Sequence, residues 1–427
     1  MNDQKIPLPP DVDPCDADGH DHKALRLDEA RAQILSGIRP VAGRETVPLP
    51  EALGRVLASP VRSAVDVPSH RNSAMDGYAV AGSELPRQGE RSFEVVGTSW
   101  AGRPFAGRVG DGQCVRIMTG GMVPAGLDTV VMQEHVAEAN GSARIAAGHR
   151  VGQNVRQAGE DIRAGAIALQ AGVLMRPAHL GLVASIGVGE IEVFSRPRVA
   201  IFSTGDELCS IGTPLGEGQI YDSNRYSLNG MLSRLGVEVQ DLGVIRDTAE
   251  DTQRAFEEAA AKADAILASG GVSVGEADFV TETLQRIGRV GFWKVAMKPG
   301  KPLAFGQVGQ ALFFGLPGNP VSVMTTFYQL VQPALQALMG IAEPAVPVMI
   351  KAICQSKLRK RPGRQEFQRG VLARGDNGEY TVTSVGDQGA GILSSMTQGN
   401  CFIVLPLEHE TVQPGTEVEV QPFDGLV

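Results

Sequence analysis

Between Arg198 and about Gly340, short runs of consecutive apolar residues alternate with helical patterns, and no other feature of the chain limits its folds so strongly. The runs are "RVAIFS", "VEVQDLGVI", "AILAS" and "ALFFGLP", and helical segments over 223–235 and 248–263 separate the first three. A strand that is apolar on both sides has to be covered on both sides. The pattern therefore predicts a doubly wound α/β domain, a parallel sheet with helices on either face. Gly236 ends the first of these helices, "FWKVAM" and "PLAFGQ" add strands, and Asn319-Pro320 supplies a cap and first-turn proline for a last helix through Leu338.

At 427 residues the chain exceeds one ordinary core and divides around that domain. Residues 1–23 read as a flexible tail, with His20 and His22 expected to be solvated. Residues 24–65 and 162–195 read as a mixed connecting unit. It is expected to hold a helix over 25–38, with Leu27, Ala30, Ile34 and Ile38 on its apolar face, and a second helix at "LPEALGRVLA" between Pro50 and Pro60. Residues 66–161 carry short β-type runs such as "FEVVGTSW" and "DTVVMQEHV" and form a β-rich domain. The α/β domain spans 196–343, and 344–427 reads as a small C-terminal β-barrel or sandwich.

A net charge of −9 argues against a general polyanion binder, so nucleic acid is not an expected partner. No apolar run approaches a membrane span and the N-terminus does not read as a signal peptide, so we expect a cytoplasmic location and no membrane partner. Five scattered cysteines without CxxC spacing read as reduced core thiols. There is no Ser-His-Asp order, zinc spacing or HExxH.

Ligands of open α/β sheets bind beyond the carboxyl ends of the strands. "STGDE", "RD", "SGGVSVGEAD" and "LPGNP" follow strands and would converge there. They carry Asp206, Glu207, Asp247, Glu276 and Asp278 beside the amides of Gly270, Gly271 and Gly275. Such amides suit phosphate oxygens, and the carboxylates suit a divalent cation shared with the phosphate, which points to Mg2+. Each piece alone has a plainer reading. Asp247 stands three residues before Glu250 as in a capping box, Asp278 would cap the helix from Phe279, and the glycine loop lacks the Lys-Ser/Thr of a P-loop. Lys294, Lys298 and Lys301 flank a glycine turn and either blunt a solvated strand edge or balance an incoming anion. In the basic run 357–369 most residues read as a solvated hairpin, and Arg369, inside a β-type segment, is the better anion contact. In the β-rich domain Asp76 shapes an Asp-Gly turn, while Thr119 and Asp161 lie in two further polar, glycine-bearing clusters.

Nine segments in order, "NSAMDGYAV", "RIMTGGMVPAGLDTVV", "RQAGEDI", "STGDEL", "IYDSN", "SGGVSVGEAD", "KPGKP", "GLPGNP" and "EFQRG", resemble the molybdopterin molybdenumtransferases, molybdenum-insertion enzymes related to the E domain of gephyrin. The resemblance covers about residues 25–425. It implies Mg2+-dependent conversion of adenylated molybdopterin and molybdate to molybdenum cofactor with release of AMP. It further implies a homodimer held partly by the connecting unit, its cleft lying between the α/β domain of one subunit and the β-rich domain of the other. By the same resemblance, Glu207, Asp247, Asp278, Lys294 and Lys298 are catalytic, the three acids also holding the metal. Asp76, Thr119, Asp161, Gly270, Gly271, Ser273, Gly275, Lys301, Pro317, Gly318, Asn319 and Arg369 bind substrate. A transient contact with the molybdopterin adenylyltransferase is also expected. Two departures from the family pattern stand at "SHR", before "NSAMDG", and at Ala390, where a serine is common. The competing readings are a non-catalytic, gephyrin-like peptide scaffold and the adenylyltransferase itself, which shares the α/β fold but needs neither flanking domain.

Overall fold

In the computed structural model, which describes residues 24–270, 279–344 and 347–423, the doubly apolar strands build one six-stranded sheet. Its spatial order is Glu238–Ile245, Arg198–Thr204, Ala265–Ser269, Ala311–Leu316, Pro302–Val308, Gly288–Lys294. The first four strands run parallel, as the βα alternation requires. The last two pairings are antiparallel, so Pro302–Val308 runs against the other five strands, a departure from the all-parallel expectation. Only Gly309 and Gln310 separate Val308 from Ala311, which is room for a hairpin and not for a crossover helix. Along Arg198–Thr204, Val199 and Ile201 enter one core while Ala200 and Phe202 enter another. That period of two is why both faces needed apolar residues.

The first core receives Leu228, Met231 and Leu232 from the Asn224–Leu235 helix and, from the opening helix Leu27–Ser36, Leu27, Ala30 and Ile34. The second receives Phe256, Ala259 and Leu284. The last helix consists of Pro320–Thr326, a π turn at Phe327–Val331 and Gln332–Leu338. Pro333 has no N–H for the Gln329 carbonyl. Arg31 takes that role, its Nε donating to the Gln329 carbonyl at 3.0 Å.

The second expected helix does not form. "LPEALGRVLA" holds a single 3-10 turn, Leu49–Ala52. Gly54, at φ +72°, reverses the chain, and Val56 and Leu57 then bridge Leu174 and Val193. This connecting unit packs Arg44–Pro48 against Glu190–Phe194 over a core that includes Leu57, Met175 and Val183. Between its two halves, the β-rich unit is a six-stranded sheet ordered Thr129–Met132, Gly77–Val80, Gln113–Ile117, Glu90–Ser99, Ser142–Ala146, Val136–Ala139. Gly77 is enforced there by close approach, since a Cβ would lie 2.0 Å from the Val131 carbonyl oxygen.

At the C-terminus, Gln365–Arg374 pairs with both Tyr380–Ser384 and Cys401–Leu405, and through Ile350–Cys354 and Glu417–Pro422 the strands close into a barrel. The two-residue strand Met297–Lys298 of the α/β unit adds to its edge. Four cysteines are buried free thiols, with Cys114 and Cys401 pushed up to about 12 by burial. Cys15, His20 and His22 lie outside the described residues. The basic run is not wholly solvated. Lys360 is buried, its ammonium donating to the carbonyls of Arg361, Leu407 and His409.

Candidate functional site

The carboxyl ends of the parallel strands gather three of the expected acids. Asp206 and Glu207 follow Arg198–Thr204, and Asp247 follows Glu238–Ile245. Burial and the nearby charges of Asp206 and Glu207 hold the Asp247 carboxyl above the usual carboxylate range. The capping reading of Asp247 fails, because Thr248 is the N-cap and its hydroxyl accepts from the Asp251 amide at 3.2 Å. At the end of the strand Arg198–Thr204 the buried Ser203 Oγ and Thr204 Oγ1, and at the start of the next helix Asn224 Oδ1, have no hydrogen-bond partner. Ser203 and Thr204 are successive residues of one strand, so their hydroxyls lie on opposite faces of the sheet at its carboxyl end. Oxygen donors of this kind suit a hard dication, although among the described residues no set of three acids, histidines or cysteines is grouped tightly enough to hold a metal unaided.

Two strand-end loops are tied together by Asn224, whose Nδ2 donates to Ser269 Oγ at 2.9 Å and to the Gly318 carbonyl at 2.7 Å. Gly270 does not offer its amide as expected. The amide donates to the Leu316 carbonyl at 3.3 Å, and the residue is needed for its φ of +90° and its approach to the Thr204 carbonyl. Gly271, Ser273, Gly275, Glu276 and Asp278 lie outside the described residues. Pro317, Gly318 and Asn319 lead into the last helix. Asn319 makes no side-chain cap there, its carbonyl accepting from the Val323 amide.

Lys294 and Lys298 are both exposed, the first at the end of its strand and the second in the strand that joins the barrel. Lys298 Nζ lies 3.3 Å from Glu366 Oε1. The turn to Lys301 packs on the last helix, where a Cβ on Gly300 would meet Thr326 Oγ1 at 2.6 Å. Arg369 is not an exposed anion contact. It is 1% exposed, with Nε donating to Ser395 Oγ at 2.9 Å and Nη2 to the Gly389 carbonyl at 3.0 Å. Burial pushes its pKa down. It thereby shapes the segment around Ala390, whose carbonyl accepts from the Val321 amide in the first turn of the last helix.

The second cluster lies in the β-rich unit. Asp76 Oδ1 accepts from both the amide and the hydroxyl of Thr119, each at 2.7 Å. Those bonds hold its carboxyl below the usual range, with Arg116 adding to the effect. Ser73 exchanges backbone bonds with Gly120 and Gly121, and the Ala74 amide donates to the Asn154 carbonyl. Asp161 is exposed, its amide bonded to the Val67 carbonyl. The hydrophobic cores of this unit share no residue with those of the α/β unit. Sequence reading missed two residues, Asn224 and Glu366. "IYDSN" and "EFQRG" carried them, but nothing local showed that they join separate loops or domains.

An α/β domain with acids at the carboxyl ends of its parallel strands is thus flanked by a β-rich unit on one side of the sequence and by a small barrel on the other. Family models for the MoeA N-terminal region (domain I and II), the probable molybdopterin binding domain and the MoeA C-terminal region (domain IV) match residues 25–187, 200–337 and 351–423. The molybdopterin molybdenumtransferase of Haemophilus influenzae is 43% identical over 404 residues, covering 94% of this chain and 100% of that one. That of a Nostoc species is 37% identical, covering 88% of each. A molybdopterin biosynthesis MoeA protein from Pyrococcus horikoshii shares the fold with a TM-score of 0.81 at 28% identity, over 94% of this chain and 100% of its own. The chain belongs to the molybdopterin molybdenumtransferase family.

Proposed function

We propose that this protein is a molybdopterin molybdenumtransferase, taking adenylated molybdopterin and molybdate to molybdenum cofactor and AMP with Mg2+. The observation that supports this most directly is the gathering of Asp206, Glu207 and Asp247 at the carboxyl ends of the parallel strands, where burial and the charges of the first two raise the pKa of the third. Glu207 and Asp247, joined by Asp278, would hold Mg2+, which when bound polarises the pyrophosphate linkage as a Lewis acid. The chain's own residues do the rest. Asn224 fixes the Ser269 and Gly318 loops against each other, so the substrate meets a preorganised edge. Lys294, Lys298 and Lys301 offset the charge of molybdate and of the leaving phosphate in an otherwise acidic cleft. No protein nucleophile enters.

In this reading the active protein is a cytoplasmic homodimer, and Asp76, Thr119 and Asp161 of one subunit face the α/β edge of the other. A transient contact with the molybdopterin adenylyltransferase would deliver the substrate. Among the described residues no helix is long and apolar enough to cross a membrane. The test is AMP release from adenylated molybdopterin, with molybdate and Mg2+ each supplied and withheld. Release that requires both ions supports the reading. Nucleotide binding without release under every condition would favour a binding scaffold, and consumption of ATP would favour the adenylyltransferase.

A further inference from the structure

Resting on that reading, we propose that Glu366, a residue of the C-terminal barrel, is a positioning residue for Lys298 of the α/β unit. Met297–Lys298 pairs in parallel with the start of Gln365–Arg374, and the register sets Lys298 beside Glu366. The Lys298 side chain is 51% exposed, while that of Glu366 is only 6% exposed. Two exposed partners would make a weak, mobile pair. A buried carboxylate is different, because losing its cation would leave an uncompensated charge away from water.

Glu366 is itself fixed. Its Oε2 accepts from Gln368 Nε2 at 3.0 Å, and the same nitrogen reaches the Arg359 carbonyl at 3.1 Å. Lys360 also feels the Glu366 charge. Its ammonium, however, is held by three backbone carbonyls, so it is not the group that moves to meet the carboxylate. The free oxygen of Glu366 thus aims the Lys298 ammonium at the seam between barrel and α/β unit. The adjoining turn rests on Ser322 and Thr326 of the last helix, the helix that Gly318 and Asn319 lead into. The barrel therefore sets the position of a cation that the α/β site uses.

The test compares Glu366→Gln, Glu366→Asp, Lys298→Ala and the Glu366→Gln/Lys298→Ala double variant with the parent in AMP release. It adds mass-spectrometric mapping of lysine acylation on the folded proteins. Glu366→Gln is expected to lower kcat about tenfold with KM within about twofold, as for other partners that orient a working group. Glu366→Asp should recover part of the loss, and the double variant should be no worse than Lys298→Ala. Acylation of Lys298 should rise about threefold in Glu366→Gln while that of exposed Lys357 stays constant. Unchanged kcat in Glu366→Gln, or losses that add in the double variant, would overturn the proposal even with the parent active. A parent that acylates as described but never releases AMP would instead overturn the functional reading, and the positioning role with it.

Discussion

Asp76 in the β-rich unit and Asp247 in the α/β unit are both carboxylates beside the end of a strand, and their surroundings push them in opposite directions. Asp76 has its bonds before any ligand arrives, from the Thr119 amide and hydroxyl. Asp247 is partly desolvated and feels the like charges of Asp206 and Glu207. One carboxylate is stabilised by its neighbours and the other is opposed by them. A carboxylate whose bonds are made within its own unit stays ionised to lower pH, whereas one beside like charges gains a proton more readily or draws in a counter-charge.

The largest expected effect tests the opposed carboxylate. Asp247→Asn should reduce kcat/KM for AMP release on the order of 100-fold or more, as expected when a group stabilising transition-state charge is lost. Fold and melting temperature should hold, since the change relieves repulsion. If activity survives within threefold, the crowding has no catalytic meaning and the contrast collapses. Thr119→Val comes next. It removes the hydroxyl bond to Asp76 and leaves the amide bond, so a loss of about tenfold is expected. The acid limb of the pH–rate profile should move to higher pH, because the remaining bond holds Asp76 less far below its usual range. A loss as large as that of Asp247→Asn would mean that Thr119 itself contacts the substrate.

Asn224→Ala probes the link between loops. It deletes donors to Ser269 and Gly318, at a stability cost of about 1–2 kcal/mol. KM should rise about threefold with little change in kcat, measured in the same assay. A kcat effect larger than the KM effect would move Asn224 from holding loops to acting in the reaction.

The contrast also explains what could be read from the chain. Doubly apolar strands and glycine-ended helices announce themselves locally, so the α/β core and the places of Asp206, Glu207 and Asp247 after its strands were legible. Asp247 was ambiguous only because Thr248, its neighbour, was the real cap. The failed helix at Leu49 shows the opposite case. Its composition suits a helix, yet Gly54 turns the chain and tertiary pairing of Val56 and Leu57 outweighs propensity. Arg369 looked like an anion contact because burial is invisible in a basic run, and its guanidinium instead organises Gly389 and Ser395. Glu366 and Lys298 stand 68 residues apart, and only the barrel's edge pairing makes them neighbours.

The smallest effect is in stability against pH, and there the two carboxylates should differ in sign. Asp76 has a lowered value in the folded state, so its contribution is present above the unfolded carboxylate value and is lost as pH falls through the folded one. Asp247 has a raised value. Its cost is absent below the unfolded value and is fully present once pH has risen past the folded one. Urea titrations across the acid range should therefore show Asp76→Asn flattening a rise of stability with pH, and Asp247→Asn flattening a fall. Mg2+ should reproduce the second effect in the parent and leave the first untouched, because Asp76 is already bonded by Thr119 whereas Asp247 is opposed by Asp206 and Glu207. It should also bind more weakly as pH falls through the raised Asp247 value, since protons compete for the same oxygens. Equal responses of the two variants to Mg2+ would show that the clusters are not distinct in the way their hydrogen bonding indicates.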